Sequence, residues 1–232
     1  MLLVRKGKER GYEDKGWLQT YHTFSFDTYY DPDYLQYHAL RVINEDTLKG
    51  GKGFGSHFHK DMEILTIVME GVLEHHDSMG NTNVIRPGEV QHMSAGSGIT
   101  HSEYNLSHTI PAHFYQIWIN PDQFTLEPSY TQKTYSTASK WGKWCLIASR
   151  NGRDGSIRIH QDVDLYATLL DDNDELLFEP VYERHYWAQI LSGKFLVQEQ
   201  ILDAGDGIAI EDESPIEFRC LQNGEFLLFD LP

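Results

Sequence analysis

Apolar residues along the 232-residue chain gather in short runs. Stretches 39–43, 64–69, 90–93, 114–119, 157–161, 186–191 and 226–231 are rich in β-branched and aromatic residues, the types that fit a pleated, half-buried surface. Glycine, proline, asparagine and aspartate punctuate the intervals, as in Met79-Gly80-Asn81 and Asp203-Ala204-Gly205-Asp206-Gly207. Long helical periodicity is missing, so the pattern predicts an all-β chain built as an antiparallel sandwich or barrel.

The two halves carry similar segments. Ile67-Val68-Met69-Glu70-Gly71-Val72-Leu73 resembles Gln189-Ile190-Leu191-Ser192-Gly193-Lys194-Phe195, and Pro87-Gly88-Glu89-Val90-Gln91 has a partner in Ala204-Gly205-Asp206-Gly207-Ile208. Strand-turn-strand segments always share some features, but the paired matches point to two copies of one β-unit. Residues 130–143 are polar and lack strand alternation, as a connection should. Two domains are therefore expected, 1–132 and 133–232.

Charge narrows the possible partners. The 35 acidic and 19 basic residues give a formal charge of -16, which repels phosphate backbones and anionic membrane surfaces. Direct nucleic-acid binding and membrane association are both disfavoured. The two cysteines, Cys145 and Cys220, sit in apolar runs and suggest neither a disulfide framework nor a thiolate metal site. The opening residues have no apolar signal core, and no stretch approaches the roughly 20 apolar residues that span a bilayer. A cytoplasmic protein is expected.

The most informative segment is Gly53-Phe54-Gly55-Ser56-His57-Phe58-His59. On an extended strand side chains alternate faces, so His57 and His59 point to one side and can present imidazole nitrogens to one ion. Gly98-Ile99-Thr100-His101-Ser102-Glu103 repeats the geometry with His101 and Glu103. A lone His-x-His pair is weak evidence, because histidines are common on surfaces and in buried hydrogen bonds. Two such pairs beside glycine-rich turns, one ending in a carboxylate, point to metal binding.

The same segments resemble the pirin family of bicupins. The likeness is carried by Gly16-Trp17-Leu18, His22-Thr23-Phe24-Ser25-Phe26, Leu40-Arg41-Val42-Ile43-Asn44, His57-Phe58-His59-Lys60-Asp61-Met62-Glu63-Ile64, Asp77-Ser78-Met79-Gly80-Asn81, Met93-Ser94-Ala95-Gly96 and Gly98-Ile99-Thr100-His101-Ser102-Glu103. It is dense over residues 5–120 and thinner beyond. The resemblance implies two cupin domains, each a jelly-roll type β-barrel, with the metal in the first. In cupins generally the glutamate after His-x-His is a ligand, and Glu63 has that spacing. The pirin pattern instead implies His57, His59, His101 and Glu103 as ligands, with Glu63 an outer-shell or salt-bridging residue.

Three imidazoles and a carboxylate suit one borderline first-row divalent ion. Iron(II) is the favoured identity, and nickel, manganese, cobalt, copper and zinc are chemically tolerable. The resemblance further implies quercetin 2,3-dioxygenase activity, in which a flavonol-like substrate meets dioxygen, its ring opens and carbon monoxide leaves. Glu103 would then also act as a proton acceptor. The alternative is a non-enzymatic regulatory or redox-sensing protein that acts through a protein partner. Counting from the aligned glycines puts Glu179 and Val181 in place of His57 and His59, and Phe218 and Cys220 in place of His101 and Glu103. The second domain is expected to lack a metal. His75 and His76 are expected at the surface or in structural hydrogen bonds, and His22 in packing.

Overall fold

The computed structural model describes residues 2–211 and 214–232. It forms two compact units, one of residues 11–135 and 159–161, the other of residues 2–10, 136–158 and 162 onward. The chain opens with β1 (Leu2–Arg5), which belongs to the second unit.

The first unit holds β2 (Gly11–Asp14), β3 (Leu18–His22), β4 (Leu40–Leu48), β5 (Gly53–His59), β6 (Glu63–Glu70) and β7 (Leu73–Asp77). It continues with β8 (Thr82–Ile85), β9 (Glu89–Ser94), β10 (Ile99–Tyr104), β11 (Ala112–Ile119) and β12 (Ser129–Thr134). A seven-stranded sheet in the order β12-β9-β6-β11-β4-β3-β2 faces a four-stranded sheet, β5-β10-β7-β8. Leu18, Leu48, Val68 and Phe114 from the larger sheet pack against Leu73 and Ile85 from the smaller. The predicted barrel is thus a jelly-roll sandwich of two sheets.

The second unit contains β13 (Cys145–Ser149), β14 (Ile157–Arg158), β15 (Asp164–Leu170), β16 (Glu175–Phe178) and β17 (His185–Ile190). After them come β18 (Lys194–Val197), β19 (Gln200–Asp203), β20 (Gly207–Ile210), β21 (Ile216–Gln222) and β22 (Gly224–Leu231). Its sheets are ordered β1-β20-β17-β22-β15-β13-β14 and β16-β21-β18-β19. From β20 to β13 and from β16 to β19 this is the strand order of the first unit, so the repeat read from the sequence is a duplicated fold. The aligned turn glycines agree in conformation. Gly71 and Gly193 have φ of 74° and 77°, and Gly88 and Gly205 have 86° and 85°, the left-handed region that glycine enters without steric cost.

Three details differ from the sequence reading. The cut at 132/133 falls inside β12, which pairs along β9 from Ser129 opposite Ser94 to Thr134 opposite Glu89. An edge strand can be as polar as a linker, because only its backbone must bond. Residues 2–5 complete the second unit, where β1 pairs with β20 in the edge place that β12 holds beside β9. The stretch 157–161 is not one strand: β14 ends at Arg158, and residues 159–161 belong to the first unit.

Glu63 secures that last segment. Its buried carboxylate accepts from Ser94 Oγ at 2.6 Å, His92 Nε2 at 2.9 Å and the His160 backbone N–H at 3.0 Å. Gln161 Nε2 donates to the Asn120 carbonyl at 2.7 Å. Glu63 is therefore the salt-bridging residue of the two roles the sequence allowed it. Burial alone would raise its pKa, but these bonds and the His92 charge outweigh it and hold the carboxyl at about 2. Because the folded pKa lies below the ordinary 4.5, the stabilisation is full above that pH and is lost as pH falls toward about 2. Glu63→Gln is expected to cost about 1–3 kcal/mol near neutrality. Urea unfolding of both proteins should show the gap closing as pH falls below the ordinary carboxyl pKa, whereas a gap independent of pH would contradict the assignment. Among the described residues no helix is long and apolar enough to cross a membrane.

Candidate metal centre

β5 and β10 are neighbours in the smaller sheet of the first unit. Along β5, His57 and His59 are partly buried while Ser56 and Phe58 are exposed; along β10, His101 and Glu103 are buried and Tyr104 is exposed. The period-two alternation predicted from the sequence therefore holds on both strands. His101 pairs with His57 but Glu103 with Phe54, so β5 spends one residue more than β10 over this interval. Such a bulge bends a strand and re-aims its side chains. Gly53 permits the close approach, since a Cβ there would lie 2.1 Å from the Glu103 carbonyl oxygen. Within the bulge the Gly55 carbonyl accepts from His57 Nδ1 at 2.8 Å, which leaves His57 Nε2 as the free lone pair.

The imidazoles converge. Ring centroids lie 4.7 Å apart for His57 and His59, 4.4 Å for His57 and His101 and 4.8 Å for His59 and His101. Donor atoms of these three lie within 4.8 Å of one another, and an overlapping group joins His101 to Glu103 and His75 within the same limit. The four residues singled out in the sequence thus meet around His101. Two buried polar atoms in this cluster, His101 Nε2 and Glu103 Oε1, have no hydrogen-bond partner. An unpaired buried polar group costs about 1–3 kcal/mol, and a cluster of imidazole nitrogens and carboxylate oxygen is the donor set of a borderline divalent ion. The residues fit a metal.

The electrostatics prepare the same set. Burial, then the neighbouring His57, holds His59 at about 4; burial, then His57, His59 and His75, holds His101 at about 2. Both are neutral near pH 7, as ligands must be. Burial pushes the Glu103 carboxyl up to about 7, with a bond from Gln116 opposing the shift and the charge of Asp46 adding to it. Gln116 Nε2 donates to Glu103 Oε2 at 2.7 Å, and Trp118 Nε1 donates to Gln116 Oε1 at 3.4 Å. One carboxylate oxygen is thereby fixed and the other left available.

His57, His59 and Glu103 line a cavity of about 670 Å³. Trp17, Phe26, Phe54 and Trp118 form its aromatic walls, with Phe26 and Trp118 edge to face at 5.2 Å and Trp17 and Phe54 at 5.8 Å. Lys15 stands between Glu13 at 3.2 Å and Asp27 at 3.7 Å, and Asp46 is buried with its carboxyl raised to about 7 by burial. His22, read as a packing residue, lines this cavity with Nδ1 2.8 Å from Asn44 Oδ1. Of the adjacent histidines, His76 is half-buried and paired with Glu74, and His75 is wholly buried behind His101 and bonded to Asp77, so both fall under the structural hydrogen bonds expected of them. Sequence reasoning missed His75, Asp46 and Gln116. Alternation along β7 was the available signal for His75; nothing local marked the other two.

The second unit fills the equivalent place with hydrocarbon. Phe218 pairs with Val197 as Glu103 pairs with His75, and Phe178 pairs with Ile216 as His57 pairs with His101. The equivalents of His57, His101 and Glu103 are thus Phe178, Ile216 and Phe218, all in the apolar core. This corrects the count made along the sequence by two positions at His101 and Glu103 and by one at His57. Loop lengths between the aligned glycines differ, and only strand register removes the offset.

Known proteins share these features. Residues 4–119 match the Pirin family and residues 146–231 match the family described as quercetinase C-terminal cupin domain. The quercetin 2,3-dioxygenase of Escherichia coli strain K12 is 46% identical over 232 residues, covering 100% of this chain and 99% of that one. A pirin-like protein of Caulobacter vibrioides is 37% identical over 95% of each chain. Among solved structures, Escherichia coli YhhW superposes with a TM-score of 0.97 at 45% identity, covering 100% of this chain and 98% of that one. The bacterial pirin YhhW in complex with nickel(II) gives 0.95 at 45% identity, covering 100% and 99%. With a matching fold in both units and relatives aligned from end to end, the chain belongs to the pirin family.

Proposed function

We propose that this protein is a metal-dependent dioxygenase of pirin type, which holds one divalent transition ion, iron(II) foremost, through His57, His59, His101 and Glu103 and cleaves flavonols such as quercetin with dioxygen. The observation that carries the reading is the pair of buried, unpartnered donor atoms, His101 Nε2 and Glu103 Oε1, within a histidine cluster beside an aromatic-walled cavity. Relatives named quercetin 2,3-dioxygenase and a relative solved with nickel(II) support it. When bound, such an ion supplies Lewis acidity toward an enol oxygen and the electron exchange that dioxygen chemistry needs.

The chain's own groups account for the rest. Trp17, Phe26, Phe54 and Trp118 offer flat apolar surfaces to a planar polyphenol and exclude water from it. Glu13, Asp27, Asp46 and Glu103 outnumber Lys15 around the cavity, which disfavours carboxylate or phosphate substrates and favours neutral rings rich in hydroxyl donors. Glu103, with Oε2 held by Gln116, is the carboxylate placed to accept the proton of the substrate hydroxyl.

Iron-loaded protein is expected to consume dioxygen with quercetin and release carbon monoxide. His101→Ala should lower that rate by at least about a hundredfold, more than the loss of a merely supporting residue costs, with an unchanged circular-dichroism spectrum. Stoichiometric metal without oxygen uptake would contradict the enzymatic assignment and favour a partner-binding role. A second expectation follows from Glu103, which is protonated below about pH 7 and must lose that proton to bind an ion. Between about pH 5.5 and 7 the nickel affinity of the wild type should therefore rise with pH about tenfold per unit more steeply than that of Glu103→Gln. Equal slopes in calorimetric titrations would contradict it.

A further inference from the structure

Behind His101 the structure places a chain of hydrogen bonds that none of the ligands explains. His75 on β7 is fully buried, with its ring centroid 5.1 Å from that of His101. Its Nε2 lies 3.1 Å from Asp77 Oδ2 and its Nδ1 3.3 Å from His101 Nδ1. A carboxylate oxygen can only accept, so His75 Nε2 carries the proton and Nδ1 of the neutral ring is an acceptor. The amide of Gln91, 3.5 Å from the same Nδ1, can also donate there. His101 must then donate from Nδ1, and its lone pair is left on Nε2, the buried atom that lacks a partner.

The relay is braced at its far end. Asp77 accepts from the backbone N–H of Met79 at 2.9 Å and of Asn81 at 3.1 Å, and from Asn81 Nδ2 at 2.8 Å. The ring of Tyr130 lies against His75 with centroids 4.9 Å apart and planes 35° from parallel, which restrains the imidazole. The duplicated unit offers an internal comparison. By strand register Val197 stands where His75 stands, opposite Phe218 in place of Glu103. Where the candidate ligands are replaced by hydrocarbon, the residue behind them is replaced too.

We infer that Asp77 and His75 form a relay that fixes the Nδ1–H tautomer of His101 and thereby sets how tightly the centre holds its ion. The inference rests on the ligand assignment proposed above. His75 is a positioning residue, acting through His101. Carboxylate and carbonyl partners of ligating imidazoles act in this way, and losing one typically weakens metal binding about 10–100-fold.

The test compares His75→Phe, which fills the space without an acceptor, with His75→Asn, whose Oδ1 can take the place of Nδ1. Nickel affinity is read by competition with a chromogenic chelator. His75→Phe should bind about 10–100-fold more weakly than the wild type, and His75→Asn should recover most of that loss. A role in packing alone gives the reverse order, since asparagine leaves the larger void. The tautomer is read independently from the ¹⁵N shifts of the His101 ring in wild-type apoprotein, so the inference stays open to refutation even if His75→Phe does not fold. A proton on Nδ1 supports it, and a proton on Nε2 overturns it. Tight wild-type binding that is indifferent to His75→Phe overturns the relay alone, whereas a wild-type protein that takes up no nickel overturns the ligand assignment and the relay with it.

Discussion

The antiparallel pairing of β5 with β10, with one extra residue on β5 beside His101 and Glu103, sets where the four candidate ligands meet. Side chains alternate across a strand, so a slip of one residue in either strand would turn its pair of ligands to the opposite face. Gly53 allows the backbones to close at the bulge, and the carbonyl of Gly55 inside it orients the His57 ring. Supporting bonds join Glu103 to Gln116 on β11 of the facing sheet and His101 to His75 on the adjacent β7. A centre built on paired strands is held more closely than one built on loops.

The two units are alternative solutions to filling one fold. In the second, Phe178, Ile216 and Phe218 occupy three of the four ligand positions, and Phe218 stacks on Phe226 at 4.6 Å with planes 2° apart. Burying such side chains contributes about 1.5–3 kcal/mol each. In the first, the same volume holds imidazoles and a carboxyl that burial makes costly to charge. One copy is stabilised by packing, while the other carries polar groups whose cost a bound ion would offset.

How much of this the sequence disclosed depends on the range of the interaction concerned. Strand content and the two histidine pairs were legible because a period of two is a local property. The duplication was legible through Gly71 and Gly193, since a left-handed turn constrains residue type locally. The register between copies was not, because unequal loops displace any count made along the chain. Neither was β12, whose polar residues read as a linker until β9 supplies their backbone partners. The docking of residues 159–161 depends on Glu63, nearly a hundred residues earlier, and the relay through His75 depends on which ring lies behind which. Such contacts are properties of the assembled sheets.

The most direct test of the central claim is anomalous diffraction at the metal absorption edge from crystals of iron- or nickel-loaded protein. One strong peak is expected in the first unit, within coordination distance of His57, His59, His101 and Glu103, and none in the core around Phe218. A peak held by other residues, or no peak in protein loaded to one ion per chain, would contradict it.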